Sequence, residues 1–520
     1  MTVPSLLDRL QERAGESADA PAIIECGGWT ITRDALARQV RATAAGLADV
    51  GMQHGDRVLF AVRSSANAIV LAVAILELGA VLVPLDTGLG ESLFAERMAL
   101  IAPTWIVADS LLLAASGIRA ARWFLRMRGI RMPPLAALQG ATFVRVGKWM
   151  PGAPRSLSLR AVCSRGARTA IPPSTLGSSD PAIIVCTSGT TGAPNAVVHT
   201  RQSTAAVLGA VGVPLALGPT DVVHTRELHM VFPTLLAGAT VLLSRRSTFS
   251  APRVLAELER YAATCWVGVT SDCHRLAEYS RVHDTRFPPA LRQVVISSAP
   301  VRAPFLHRLR EVLAPDTQVW CVYGLTELGP AAVIDLEEKL AYTGEGDLVG
   351  RPVPGVEARL STEGELLLRG PNLCGGYLGH APLNELATGD LARIADGRIV
   401  LLGRRKDMII RGSHNIYPEL YEPAIERIAG IRCCAMVGVY DDALADERIV
   451  LGVEPEPGVD ADELRERVHA GLRNGSSRID DAALPDLIVV ETLPVCGRSS
   501  KVNRQRLREL ARQRLECASR

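Results

Sequence analysis

The run from Ile183 to Val198 reads IIVCTSGTTGAPNAVV. An apolar segment ends in Thr187, Ser188, Gly189, Thr190, Thr191 and Gly192, and apolar sequence then resumes. A strand that stops at small hydroxyl and glycine residues exposes consecutive backbone N–H groups and lets the main chain wrap an anion closely. The hydroxyls add further donors, so the chemistry suggested is a grip on the β- and γ-phosphates of a nucleotide. The spacing Gly-x-x-x-x-Gly-Lys-Ser/Thr is absent, so this is not a Walker A loop. Asn195 stands where a phosphate-handling loop is expected to end in lysine. Taken alone, such a cluster reads equally well as a flexible surface turn.

Four further stretches carry groups that could act on a nucleotide: YGLTE at 323–327, ATGDLARI at 387–394, GRRKDMIIRGSHNIYP at 403–418 and LPVCGRSSKVNRQRL at 493–507. Among the groups they contribute are the carboxylates Glu327 and Asp390 and the ammonium of Lys501. Each has a plain structural reading. Glu327 could start a helix, where the dipole favours a carboxylate. Asp390 could be a turn residue after Gly389. Tyr323 could be core, and Lys501 one more solvated lysine in a basic tail. In this order and with these gaps, however, the set resembles the adenylate-forming superfamily of acyl-CoA synthetases, AMP-dependent ligases, luciferases and peptide-synthetase adenylation domains. The stretch from Gly55 to Asp86 is similar to the N-terminal part of that family, so the resemblance covers nearly the whole chain.

The resemblance implies a first reaction that joins a carboxylate to ATP and releases pyrophosphate. A negative nucleophile must approach a negative triphosphate, so the site needs positive charge and oriented donors around the α-phosphate. It places Thr187 to Gly192 on the β- and γ-phosphates and Thr326 on the α-phosphate. Glu327 would hold Mg²⁺, a hard cation that prefers oxygen ligands. Asp390 would accept from the ribose hydroxyls, with Arg404 nearby. Tyr323 would stack on adenine, and the turn Ser298–Ala299–Pro300 would line the base pocket. Lys501 would be the catalytic lysine, reaching the α-phosphate and the carboxylate. The expected organisation is a large domain over 1–402, a hinge at 403–407 with Lys406 at its pivot, and a small α+β domain over 408–520. Rotation about the hinge would bring the strand bearing Gly412 to the site and admit a thiol, from coenzyme A or a carrier protein's phosphopantetheine.

The chain departs from the family pattern at four places. Asn195 replaces the usual lysine, which implies weakened or retuned ATP handling. The segment from Asp221, DVVHTRELHMVF, is short, and either His229 or His224 is a candidate for the acyl pocket. A basic insertion occupies about 117–155, and the lysine loop reads Ser500-Lys501 where the family has Gly-Lys. The leading reading is a carboxylic acid adenylating ligase that forms a thioester. A close alternative keeps adenylation but finishes by closure of a β-hydroxy acid to a β-lactone, or by activating another small oxyanion. An alternative of another class is a nucleotide-binding relative without catalysis. A dehydrogenase is disfavoured, since no Gly-x-Gly-x-x-Gly opens a helix after a strand.

These residues need a scaffold. The 520 residues exceed a single core, and 48% hydrophobic content suits a packed globular chain. Fifty-seven basic against fifty-five acidic residues leave a net charge of +2, which argues against a nucleic-acid binder. The eleven cysteines show no zinc spacing and suit buried reduced thiols, consistent with a cytoplasmic location. No signal peptide is evident, and Ala68–Leu85, broken by Glu77 and Gly79, is too short to span a bilayer and reads as a core helix running into a strand. Apolar periodicity predicts a helix over 33–50 and another from Arg253. β-rich runs at 57–62, 240–244, 293–297 and 318–323 alternate with helices, which predicts an α/β fold with parallel sheets. After about 345 short antiparallel strands with a barrel-like character are expected, then the small α+β domain. In 117–132, Arg119, Arg122 and Arg126 fall on one helical side and Trp123 and Met127 near the other. That helix could lie on a membrane surface or guard an apolar channel, but a surface helix snorkelling its arginines is the preferred reading.

Overall fold

The computed structural model describes residues 5–85, 91–128, 132–171, 176–187, 195–212, 215–244, 246, 248–411, 414–441, 446–474, 477, 479, 483–496 and 501–518. Two large sheets dominate. The first has eight strands, in the order Gly376–Tyr377, Asn195–Thr200, Pro181–Thr187, Val81–Pro84, Arg57–Ala61, Trp105–Asp109, Thr142–Val146 and Leu157–Ser158. From Pro181–Thr187 to Leu157–Ser158 every pairing is parallel, and only the pairings of Asn195–Thr200 are antiparallel. A parallel sheet must be covered on both faces, and its strands are accordingly apolar over most of their length, as the fully buried Trp105–Asp109 is up to its closing aspartate.

One cover is the helix Ala66–Glu77, buried along its length, which leads through Gly79 into the strand Val81–Pro84 as its sequence predicts. Glu77 sits in that apolar helix because its carboxylate accepts hydrogen bonds from Ser5 Oγ at 2.6 Å and Leu7 N at 3.1 Å. A buried carboxylate with such partners fixes the first helix, Leu6–Glu16, against the core. The predicted helix Arg33–Asp49 packs on Leu159–Gly166 through glycines. A Cβ on Gly46 would lie 2.0 Å from the Val162 carbonyl oxygen, and one on Gly166 would lie 1.8 Å from that of Ala42. Only glycine lets the two backbones come so close.

The second sheet has thirteen strands. Its parallel part runs from Gln318–Leu325 through Gln293–Ser297, Cys265–Val269, Val222–Thr225 and Thr240–Leu243 to Pro21–Glu25. The antiparallel strands after residue 345 are not a detached body. Asp347–Pro352 pairs with Gly329–Asp335, which pairs with Gln318–Leu325, so they extend the parallel sheet edge to edge.

After Arg404 the chain builds its own sheets. Ile431–Asp441 and Asp446–Pro455 form an antiparallel pair with Leu487–Val490 added in parallel, covered by the helices Pro418–Ile425, Ala461–Arg473 and Arg504–Ala518. Among the described residues, no strand after Arg404 pairs with one before it. The described cysteines are free thiols, and no described helix is long and apolar enough to cross a membrane.

Candidate functional site

A cleft of about 2640 Å³ opens where the two sheets and the C-terminal part meet. It is lined by Thr326 and Glu327 from the second sheet, His199 and Tyr377 from the first, and Lys406 and Lys501 from beyond the last large-sheet strand. Residues distant in sequence therefore share one space.

Thr326 and Glu327 form the tight turn between the strands Gln318–Leu325 and Gly329–Asp335. Turn backbone groups lack ladder partners, and two side chains and one backbone amide satisfy carbonyls in and beside the turn here. His199 Nε2 donates to the Thr326 carbonyl at 2.7 Å. Burial lowers the pKa of His199, so the ring is neutral at pH 7, and Ser203 Oγ lies 3.4 Å from Nδ1. That arrangement fixes the tautomer with its proton on Nε2. Asn372 Nδ2 donates to the carbonyls of Leu328 at 2.9 Å and Pro330 at 3.0 Å, and Cys374 N donates to that of Glu327 at 2.8 Å. The Glu327 carboxylate accepts from Tyr377 Oη at 3.0 Å. Burial, then the facing carboxylate, raises the Tyr377 pKa, so the phenol stays a donor.

Asp390 lies opposite Arg404 in the antiparallel pair of Leu386–Ala395 and Arg398–Arg404. It is buried and accepts from Tyr323 Oη at 2.6 Å and Arg404 Nε at 2.8 Å. The preceding Gly389 N donates to Glu365 Oε1 at 2.8 Å. Tyr323, read from sequence as an adenine platform, is in this arrangement a hydrogen-bond donor to Asp390, and its ring is not among those lining the cleft. Its phenol pKa is raised, mainly by burial and then by Asp390.

The turn Ser297–Pro300 is held by Thr270, whose Oγ1 bridges the carbonyls of Ser297 at 3.1 Å and Ala299 at 3.0 Å. Ser297 and Ser298 line the cleft, whereas Ala299 and Pro300 do not. Ser298 holds a left-handed φ of 79°, an unfavourable conformation for a residue with a Cβ. Strain of this kind persists where neighbours over-determine the backbone, as the Thr270 bridge does here.

The glycine–threonine loop leaves the sheet at Thr187 and returns at Asn195, which is its register partner. Ser188, Gly189, Thr190, Thr191 and Gly192 lie outside the described residues, as does Gly412. Lys501 opens the short strand Lys501–Val502, paired with Val495–Cys496, and projects at the cleft. Lys406 belongs to the turn Arg405–Asp407, whose Asp407 is held by Arg508 at 3.2 Å.

The two histidine candidates separate. His229, on the helix Leu228–Leu236, opens onto the cleft, and the surrounding protein lowers its pKa. His224 does not reach the cleft. It is fully buried, with Nε2 3.0 Å from Glu257 Oε2 and 3.3 Å from Ser244 Oγ. Its place in the acyl pocket is thus withdrawn, because the strand Val222–Thr225 turns that position into the core.

Among the described residues, no group of three or more His, Cys, Asp or Glu is gathered for a metal. A single oriented carboxylate, Glu327, suits Mg²⁺, which retains waters and takes phosphate oxygens for its other ligands.

Motif reading missed the supports: His199, Tyr377, Asn372, Glu365 and Thr270. A further group joins the two parts of the chain. Arg302, at the start of the helix Ala303–Val312, reaches Glu422 at 3.1 Å and Glu426 at 3.3 Å on the C-terminal side. Glu422 also takes Arg504 at 2.8 Å and the Met436 N–H at 2.8 Å.

Known proteins share this architecture. The chain is 29% identical to the feruloyl-CoA synthase of an Amycolatopsis species, over 87% of this chain and 89% of that protein. It is 26% identical to the olefin beta-lactone synthetase of Stenotrophomonas maltophilia, over 98% of each. The fold superposes on o-succinylbenzoate CoA synthetase from Bacillus subtilis, in complex with its acyl-adenylate intermediate, with a TM-score of 0.76 at 21% identity and 98% coverage of both chains. The model of the AMP-binding enzyme family matches residues 10–378, the span that supplies the Thr326–Glu327 turn, the whole first sheet and all of the second except Leu386–Ala395 and Arg398–Arg404, and the chain belongs to that family.

Proposed function

We propose that the chain is an ATP-dependent carboxylic acid ligase that forms an acyl adenylate and then a thioester. In the first step a carboxylate oxygen attacks the α-phosphorus of ATP. An acyl–phosphate bond forms, the bond to the β-phosphate breaks, and pyrophosphate leaves. The observation that carries the reading is the convergence of Lys501, Thr326 and Glu327 on one cleft from opposite ends of the fold. The Lys501 ammonium offsets the negative charge that gathers between carboxylate and α-phosphate, and the Thr326 hydroxyl donates to it. Mg²⁺ held by Glu327 would supply neutralising charge at the phosphate oxygens. Asp390, gripped by Tyr323 and Arg404, receives the ribose hydroxyls, while the loop Thr187–Gly192 takes the β- and γ-phosphates.

We read 1–402 as one body, 403–407 as the hinge with Lys406 at its pivot, and 408–520 as the mobile part. Rotation would exchange Lys501 for the Gly412 strand, and a thiolate would then attack the acyl carbonyl and expel AMP. Coenzyme A is the acceptor we favour, and a carrier protein's phosphopantetheine presents the same thiol. The test is acid-dependent pyrophosphate exchange across a panel of acids. Lys501→Ala is expected to depress exchange by several orders of magnitude while ATP binding survives, and unchanged exchange would remove Lys501 from the chemistry.

A second reading ends in closure to a β-lactone. It is favoured by the match along 98% of both chains to the olefin beta-lactone synthetase. Product analysis with and without coenzyme A separates the two.

A further inference from the structure

The helix Arg119–Met127 does not hide its apolar residues. Trp123 is 64% exposed, Phe124 51% and Met127 70%. Trp123 and Met127 carry no burial that would explain their type, so a helix merely snorkelling its arginines over an apolar contact does not account for them. Nor are they alone. Leu111 and Ile118 are exposed just before this helix, and Trp149 and Met150 in a following loop. That loop packs on the same spot: a Cβ on Gly117 would lie 1.9 Å from the Gly152 carbonyl oxygen, and one on Gly152 would lie 2.5 Å from Ile118 Cγ1. Seven of the thirteen exposed large apolar side chains among the described residues therefore belong to a segment of forty residues, 111–150. Scattered single apolar residues need no explanation, but a patch of this kind marks a contact surface.

Two observations say what it contacts. The patch is basic, since Arg119 and Arg128 are exposed beside the aromatic residues, and the Arg128 guanidinium lies 4.6 Å from the Phe124 ring centroid. Apolar and aromatic side chains ringed by arginine complement an anionic lipid surface, where the rings enter the headgroup boundary and the arginines meet phosphates. The patch is also continuous with the cleft. Leu111 and Phe124 are exposed outside and line the cleft inside, with Leu112, Ala115, Ala121 and Leu125 behind them. An apolar wall thus runs from the surface inward.

We propose that helices Ser110–Gly117 and Arg119–Met127 form an entry rim that seats on an anionic lipid surface and admits a lipophilic carboxylic acid from it. The substrate half of this inference rests on the adenylating reading above, and the seating half does not.

The experiment is flotation of the full chain with vesicles of mixed phosphatidylglycerol and phosphatidylcholine, against phosphatidylcholine alone, paired with pyrophosphate release from vesicle-borne hexadecanoate and from butanoate in solution. Flotation is expected with the anionic vesicles and is expected to weaken with added salt. Trp123→Ser with Met127→Ser should cut the bound fraction by at least about tenfold, and Arg119→Glu with Arg128→Glu should do likewise. Both pairs are solvent-exposed surface changes, so thermal unfolding should match the parent. The variants should lose turnover of hexadecanoate and keep that of butanoate. No flotation of the parent, flotation unchanged in both variants, or a concentration-dependent dimer through this face in place of vesicle binding would each overturn the seating. Equal loss with both acids would overturn the entry role. Absence of pyrophosphate release from any acid, with flotation intact, would refute the adenylating reading and leave the seating standing.

Discussion

Arg302 joins the part of the chain before the proposed hinge to the part after it, and its removal should shift the balance between half-reactions. The guanidinium meets Glu422 at 3.1 Å and Glu426 at 3.3 Å, and the side chains are 25%, 1% and 15% exposed. Breaking a buried pair by deleting one partner costs roughly 3–5 kcal/mol. Two features reduce that figure here. Glu422 keeps Arg504 and the Met436 N–H, so it is not left unpaired. Arg302 Nη1 is itself buried with no hydrogen-bond partner among the described residues, so the native contact carries a penalty of its own. Glu426 loses its main cation, and burial already raises its pKa. The remaining cost is about 2–3 kcal/mol, or roughly 30–150-fold in the orientation equilibrium. Arg302→Met should therefore lower pyrophosphate exchange at subsaturating ATP by that order. Thioester formation from a supplied acyl adenylate should be unchanged or faster, which a general loss of folding would not produce. Tryptic cleavage at the exposed Arg405 and Lys406 should accelerate as the parts separate, and ATP should protect. Unchanged exchange and unchanged cleavage in Arg302→Met would refute the idea that this ion cluster sets the orientation.

Glu419, in the first turn of the helix Pro418–Ile425, has its pKa raised from 4.5 to about 7, chiefly by burial. The folded state then holds an extra proton between those values, so stability falls as pH rises through that window and levels off above it. Glu419→Gln should flatten the slope and recover about 3 kcal/mol at pH 8 in denaturant unfolding, and a slope unchanged by the substitution would exclude Glu419 as its source. Tyr323→Phe removes a 2.6 Å donor from the buried Asp390. It should weaken ATP binding by calorimetry by roughly 10–100-fold, the worth of about 1.5–3 kcal/mol for a hydrogen bond to a charged group. His199→Ala leaves the Thr326 carbonyl without its donor. It should lower the rate of adenylate formation by roughly tenfold or more with little change in ATP affinity, since one orphaned buried carbonyl costs about 1–3 kcal/mol. Equal loss of affinity would assign His199 to nucleotide binding instead.

Much was legible before any coordinates, and for identifiable reasons. Periodicity marks whatever is decided within one turn or one pleat. The helix Arg33–Asp49, the strand Gln293–Ser297 and the passage from Ala66–Glu77 into Val81–Pro84 follow from local apolar spacing. The chemistry proposed for Thr326, Glu327, Asp390 and Lys501 rests on residue type and on order along the chain, which motifs display. Tertiary structure decided what holds those groups. His199 steadies Thr326 from 127 positions away, Tyr377 orients Glu327 from 50, and Tyr323 meets Asp390 across 67. Such partners are chosen by sheet order and register, and no short window of sequence encodes either. The same limit separated His229 from His224: five residues apart, one opens on the cleft and the other is sealed beside Glu257. The face a residue shows depends on what its strand or helix packs against, and that is settled only when distant segments close around it.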